Sequence, residues 1–272
     1  MNYKNEIRAI VFDYDGTLID FSYHASEKTR EALELLKDKE YRLCLASGRP
    51  CFLALKAFYD VFGEYPLDYI SGCNGTEFMD VRKNETVFIN PLTREDVIRI
   101  GKLFQDIEYL TLGIYEGERF LVNRMPENPV ILEWMNARWL IPELYDYSMN
   151  DKERSKVMVL NDPKDREKER IRVKDLDLDR YNHAFSSPYC YEITPKGVDK
   201  ASGIRYLADL LHCDTRQILS FGDMENDLPM LLNSTGVIME NASDQLKKLI
   251  PLRTGSVDQE GIYAFLKKNH LI

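Results

Sequence analysis

The sequence predicts an α/β protein: a doubly wound, mainly parallel sheet with a smaller α+β module inserted into it. Three observations carry this. Short apolar, β-branched runs alternate with amphipathic stretches near the start, in the order strand, helix, strand, helix, strand. That rhythm stops near Arg82 and returns only after Pro195. At 272 residues the chain also exceeds the usual size of one hydrophobic core.

The elements follow in order. "IRAIVF" (Ile7 to Phe12) is a strand covered on both faces. Ser26 caps a helix whose apolar side carries Ala32, Leu33, Leu35 and Leu36. "YRLCLAS" (Tyr41 to Ser47) is a second strand. Pro50 suits the first turn of the next helix, which carries Phe52, Leu55, Phe58, Val61 and Phe62. "DYIS" (Asp68 to Ser71) is a third strand, followed by "GCNG". The middle of the chain reads as a helix ("TREDVIRIGKLFQDI") and strands ("YLTLGIYEGERFLVN", "SKVMVL", "YCYEIT"), and it holds both tryptophans. Its charged run "DPKDREKERIRVKDLDLDR" reads as a solvated helix face and loop. The expected boundaries are 1–82 with 189–272 for the main domain and 83–188 for the insert. Lys196 to His212 reads as a helix with Val198, Ala201, Ile204, Leu207, Ala208 and Leu211 on one side. After it come the strand "QILSFGD", the helix "ENDLPMLLN", the strand "GVIM" and two closing helices.

Composition narrows the function. The net charge of −9 makes nucleic acid and anionic membrane poor partners, because both reward a basic face. No run approaches the ~18–20 apolar residues of a membrane span. The five cysteines are scattered without a C-x-x-C pair, as expected for reduced thiols in a cytoplasmic, soluble protein. Oligomeric state is not legible.

Asp13 and Asp15, in "VFDYDGTLID", stand two residues apart at the end of the first strand. Residues i and i+2 of a strand share a face, so both acids are expected to point at one place beyond its carboxyl end, where open α/β sheets bind ligands. Two close carboxylates repel, and a hard divalent cation or a retained proton relieves the repulsion. The pair therefore suits a Mg²⁺ site, a general acid/base, or a nucleophile beside an acid/base; Asp-x-Asp-Gly also fills plain turns and calcium loops. "ASGRP" places Ser47, Gly48 and Arg49 at a second strand end opening a helix, a ready anion site. Lys196, in "TPKGVDKASGI", is expected at a helix start, where a cation opposes the macrodipole and is better explained by a phosphate or by Asp13. Lys200 is its lower-ranked rival. "SFGDMENDLPML" repeats the strand-end geometry with Asp223, followed by Asn226 and Asp227.

Together "DYDGTL", "SGR", "PKGVDK" and "GDMEND" resemble, in order and setting, the four motifs of the haloacid dehalogenase (HAD) superfamily of phosphatases. The insert looks like the type IIB cap of its Cof-like branch. The resemblance spans essentially the whole chain and implies a Rossmann-like core. It implies that Asp13 attacks phosphorus and that Asp15 protonates the leaving alcohol and then activates water. It implies Mg²⁺ on the Asp13 carboxylate, the Asp15 carbonyl and Asp223. Ser47, the Gly48 N–H and Lys196 would hold the phosphoryl group, with Asn226 and Asp227 in support, while Arg49 and Asn74 would reach substrate. Tyr14 departs from the commoner Leu and is expected to face away from both acids, and "QEGIYAF" replaces the branch's usual Asp-Gly-Val.

The expectation is a Mg²⁺-dependent phosphatase of small phosphorylated metabolites, sugar phosphates first among them, working through an aspartyl phosphate. A phosphomutase of the same chemistry and a non-catalytic phosphometabolite-binding protein are the alternatives. G-x-G-x-x-G, Walker A, H-E-x-x-H and G-x-S-x-G are absent, and the four histidines are scattered.

Overall fold

The computed structural model describes residues 6–65, 67–167, 173 and 176–272. The chain divides into two compact units, Met1–Ile89 with Asp199–Ile272, and Asn90–Val198.

The first unit opens with β1 (Ala9–Asp13), α1 (Glu27–Asp38), β2 (Arg42–Ala46), α2 (Cys51–Phe62), β3 (Tyr69–Gly72), β4 (Glu77–Asp80) and β5 (Glu85–Phe88). Every residue of β1 is buried. Its side chains alternate between two cores. Ile10 and Phe12 join the α1 and α2 side with Leu33, Leu36 and Phe58. Ala9 and Val11 face the opposite layer, with Ile204 and Leu207. A strand buried on both faces needs apolar residues at every position, which is why "AIVF" reads as continuous rather than alternating. The hairpin β4–β5 is antiparallel to β3, and it was absent from the sequence expectation because β5 is exposed along its whole length.

The second unit comprises α3 (Arg94–Phe104), β6 (Thr111–Glu116), β7 (Arg119–Val122), α4 (Pro129–Asn136), β8 (Pro142–Leu144), β9 (Val157–Leu160), β10 (Tyr181–Ser187) and β11 (Cys190–Pro195). Its sheet order is β10-β11-β9-β6-β7-β8. All pairs are antiparallel except β7–β8. Thr93 and Asp96 form a reciprocal cap on α3. The helix buries Val97, Ile100 and Phe104 in a core with Leu112, Ile114, Val157 and Val159. The charged run expected to form a solvated helix lies partly outside the described residues.

The first unit resumes with α5 (Lys200–Leu210), β12 (Ile218–Gly222), α6 (Leu228–Asn233), β13 (Thr235–Ile238), α7 (Asp244–Lys247), β14 (Leu252–Arg253) and α8 (Gly261–Lys268). Its sheet order is β14-β13-β12-β1-β2-β3-β4-β5, parallel from β14 through β3. The chain therefore moves outward one way from β1 through β2 and β3, and the other way from β12 through β13. The reversal between β1 and β12 opens a crevice at their carboxyl ends.

The unit boundaries fall later than the expected 82/83 and 188/189. At the first junction the β4–β5 hairpin carries the main sheet on to Phe88. At the second, β11 stays in the insert's sheet as far as Pro195, which pairs with Tyr181.

Candidate active site

Asp13 ends β1 and is buried. The chain then turns sharply through Gly16, whose φ of +87° lies in the left-handed region. A Cβ there would come within 2.4 Å of Asp223 Oδ2, so this close approach requires glycine. Asp223 follows β12, the neighbour of β1. Its Oδ1 accepts from the Thr17 hydroxyl at 2.9 Å and its Oδ2 from Asn241 Nδ2 at 2.9 Å. The same Asn241 amide donates to the Gly16 carbonyl at 2.9 Å. Asp227 is wholly buried, and its Oδ2 accepts the backbone N–H groups of Asp223 and Met224, each at 2.9 Å.

The lysine in this crevice is Lys200. Its ammonium donates to Asp13 Oδ1 and, at 2.5 Å, to Asp227 Oδ1, and its side chain is 1% exposed. Lys196 is exposed, and its ammonium donates to the Asp179 carbonyl at 3.1 Å within the inserted unit. The expectation for Lys196 is thus corrected, and the reason is local. The helix begins at Lys200, four residues later than the spacing suggested, because Asp199 caps it reciprocally with Ser202. A lysine in the first helical turn is held there by the two carboxylates it meets, despite the macrodipole.

Electrostatics follow from burial. Desolvation holds the Asp13 carboxyl well above the usual carboxylate range; Asp227 adds to this and Lys200 opposes it. Burial also pushes Asp223 up to about 6, against the Thr17 hydrogen bond. For Lys200 burial disfavours the charge, but Asp13 and Asp227 outweigh it and hold the ammonium above its ordinary value. Carboxylate oxygens of Asp13, Asp223 and Asp227 all lie within 4.8 Å of one another. Three buried acids facing one ammonium leave an excess of negative charge. A hard divalent cation with oxygen ligands fits that donor set. Asp227 already spends its oxygens on Lys200 and two amides, so Asp13 and Asp223 have the freer lone pairs.

Asp15 does not share this point. β1 ends at Asp13, so strand alternation no longer governs its direction. Its carboxylate meets Arg49, whose Nη2 lies 2.9 and 3.1 Å from the two oxygens. Tyr14 turns away from both acids into the core, and its hydroxyl donates to the Ala57 carbonyl at 2.6 Å.

The other strand ends meet around this crevice. Ser47 follows β2, is buried, and accepts on Oγ from the Arg49 N–H at 3.1 Å. The Asn74 N–H donates to the Ser47 carbonyl at 3.0 Å. A Cβ on Gly48 would lie 3.5 Å from the Asn74 amide. Cys73 and Asn74 are both left-handed, at φ +48° and +53°. Asn226 Nδ2 donates to Asn74 Oδ1 at 3.3 Å, joining the loop after β3 to the loop after β12.

The family model of the haloacid dehalogenase-like hydrolases matches residues 10–266. The chain belongs to this family. The Bacillus subtilis (strain 168) protein YkrA is similar to this HAD-like hydrolase, 28% identical over 267 residues that cover 97% of this chain and 98% of that one. The HMP-PP phosphatase of Escherichia coli O6:H1 is 26% identical over 249 residues, covering 90% and 88%. Among solved structures, the HAD subclass IIB sugar phosphatase BT4131 aligns with a TM-score of 0.78 at 21% identity, covering 97% of this chain and all of that one. That last likeness bears on the fold: a HAD core with an insert.

Of the residues now seen in the crevice of this HAD-like hydrolase, Thr17 and Asn241 escaped the sequence reading. Thr17 stands inside "DGTL", directly after the Asp-x-Asp-Gly that also fits a plain turn. Asn241 is the second residue after "GVIM", and the rule that parallel strands end at the ligand crevice points to it as it does to Asp223.

Proposed function

We propose that this HAD-like hydrolase is a Mg²⁺-dependent phosphatase of small phosphorylated metabolites, sugar phosphates first among them. The observation that carries the reading is the group formed by Asp13, Asp223, Asp227 and Lys200 at the crevice between β1 and β12. The HMP-PP phosphatase among its relatives supports the reaction class.

Asp13 is the nucleophile. Its carboxylate oxygen bonds to phosphorus as the ester P–O bond breaks, and Asp15 gives its proton to the departing alcohol. Water then attacks the aspartyl phosphate, Asp15 takes a proton from it, and inorganic phosphate leaves. Splitting a slow displacement into two covalent steps is one part of the catalysis. The larger part is offsetting charge on the equatorial oxygens, which falls to Lys200 and to the amides after Ser47. Mg²⁺, held by the Asp13 carboxylate, the Asp15 carbonyl and Asp223, would add Lewis-acid charge stabilisation. Asp227 keeps Lys200 charged and fixes the loop that carries Asp223. Asn74 and Asn226 border the phosphate. Residues 90–198 act as the cap that selects the leaving group, and the protein works in the cytoplasm.

The test is phosphate release from a panel of phosphomonoesters with and without Mg²⁺. Release that requires Mg²⁺ and is lost in Asp13→Asn is expected. Undiminished release from that variant refutes the nucleophile assignment, and isomer interconversion without release points to a mutase.

A further inference from the structure

We propose that Arg49, supported by Tyr23, is a positioning residue that aims the Asp15 carboxyl at the leaving oxygen, rather than a ligand of the substrate phosphate. The inference rests on the phosphatase reading above. Asp15 lies beyond the end of β1, and its side chain is 43% exposed, so the strand does not fix its direction. One nitrogen of Arg49 reaches both of its oxygens, at 2.9 and 3.1 Å. Either protonation state of Asp15 retains an acceptor oxygen for that nitrogen, so the same contact serves both halves of the reaction.

Arg49 is itself held. Its N–H donates to Ser47 Oγ at 3.1 Å and its carbonyl accepts from Cys73 N at 2.8 Å. Its guanidinium carbon lies 5.3 Å from the Tyr14 ring centroid and 6.0 Å from that of Tyr23, both within cation–π reach. Tyr14 is anchored in the core by its hydroxyl. Tyr23 is the unexpected partner. It is 57% exposed and sits at φ +63°, a strained conformation for an aromatic residue that gains little burial. Asp20 holds it there: its Oδ1 accepts the N–H groups of Ser22 and His24 at 2.8 and 2.9 Å, and its carbonyl accepts that of Tyr23 at 3.1 Å. A turn built to hold an aromatic ring in solvent beside Arg49 makes sense as its support.

In the first step the Asp13–phosphorus bond forms, the ester P–O bond breaks, and the Asp15 proton moves to the ester oxygen. An alkoxide needs that proton as it leaves; 4-nitrophenolate does not. The experiment measures kcat and KM on 4-nitrophenyl phosphate and on a hexose 6-phosphate for the wild type, Arg49→Ala and Tyr23→Leu. General acid–base catalysis contributes roughly 10²–10⁴-fold, so Arg49→Ala should lower kcat/KM, which reports the first step, on the hexose phosphate by about 100-fold and on the nitrophenyl ester by less than about 10-fold. Tyr23→Leu, at an exposed position that does not threaten folding, should show the same skew on a smaller scale. A raised KM on both esters with kcat retained makes Arg49 a phosphate ligand and overturns the inference. Equal losses of kcat/KM on both esters, or a Tyr23→Leu variant indistinguishable from wild type, also overturn it. A wild type that hydrolyses neither ester overturns the phosphatase reading and this inference with it.

Discussion

Replacing Lys200 with methionine tests the arrangement most directly. The side chain is 1% exposed and its ammonium sits between Asp13 and Asp227. Methionine fills similar space but leaves both carboxylates in a buried place without that cation. Breaking a buried pair in this way costs about 3–5 kcal/mol. At about 2–4 °C per kcal/mol, melting should fall by roughly 6–20 °C. The deficit should depend on pH. Burial already holds the Asp13 carboxyl high, and losing Lys200 removes a group that opposes this. An acid whose folded pKa is raised favours the fold while protonated, and that contribution is lost as pH rises through the raised value. The melting difference should therefore be larger at pH 8 than at pH 5. Lys196→Met is the control: its lysine is exposed and bonds a carbonyl, so it should change stability by less than about 0.5 kcal/mol. Thermal melts of the three proteins at both pH values decide the matter. A Lys200→Met protein that melts with the wild type while Lys196→Met falls would refute the reasoning.

Asp223, pushed up to about 6 without metal, must lose its proton to hold Mg²⁺, so Mg²⁺ should raise the melting temperature more at pH 7.5 than at pH 5; equal shifts, or a full shift in Asp223→Asn, would exclude it as a ligand. Gly16→Ala drives a Cβ to within 2.4 Å of Asp223 Oδ2 at a left-handed φ, and should cost about 1–3 kcal/mol in denaturant unfolding as well as most of the activity. Asp199→Ala removes the cap of α5, and should lower stability by about 1 kcal/mol and depress kcat by loosening Lys200, read from urea titration and phosphate release. Tyr14→Phe loses a buried hydrogen bond to Ala57 and should cost about 1 kcal/mol in the same titration, with a small fall in kcat because that bond anchors a ring beside Arg49.

The parts of the fold legible in the sequence are those where one physical requirement dominates. β1, β2 and β12 are buried on both faces, so their continuous apolar runs admit few other readings. β5 escaped because all its residues are exposed and its pairing depends on β4. Asp13 and Asp223 stood out because acids at the ends of apolar strands are costly without a purpose. The lysine was misplaced because two lysines four residues apart share one segment, and only the capping pair Asp199 and Ser202 fixes where the helix begins. The partner of Asp15 was not legible. The contact spans 34 residues and depends on a turn beyond the strand that no periodicity describes.

Both ends of the core at which the insert departs and returns touch a single short loop. The Ile89 N–H donates to the Thr76 carbonyl at 2.7 Å, and the Asp199 carbonyl packs so closely on Gly75 that a Cβ there would come within 2.2 Å. The core thus presents one docking point for whatever peptide lies between residues 89 and 199, next door to Asn74. Exchange of that whole peptide by recombination would leave every carboxylate and the lysine of the crevice untouched. On the function proposed above, selectivity can then evolve on a separate genetic segment from the bond-breaking apparatus.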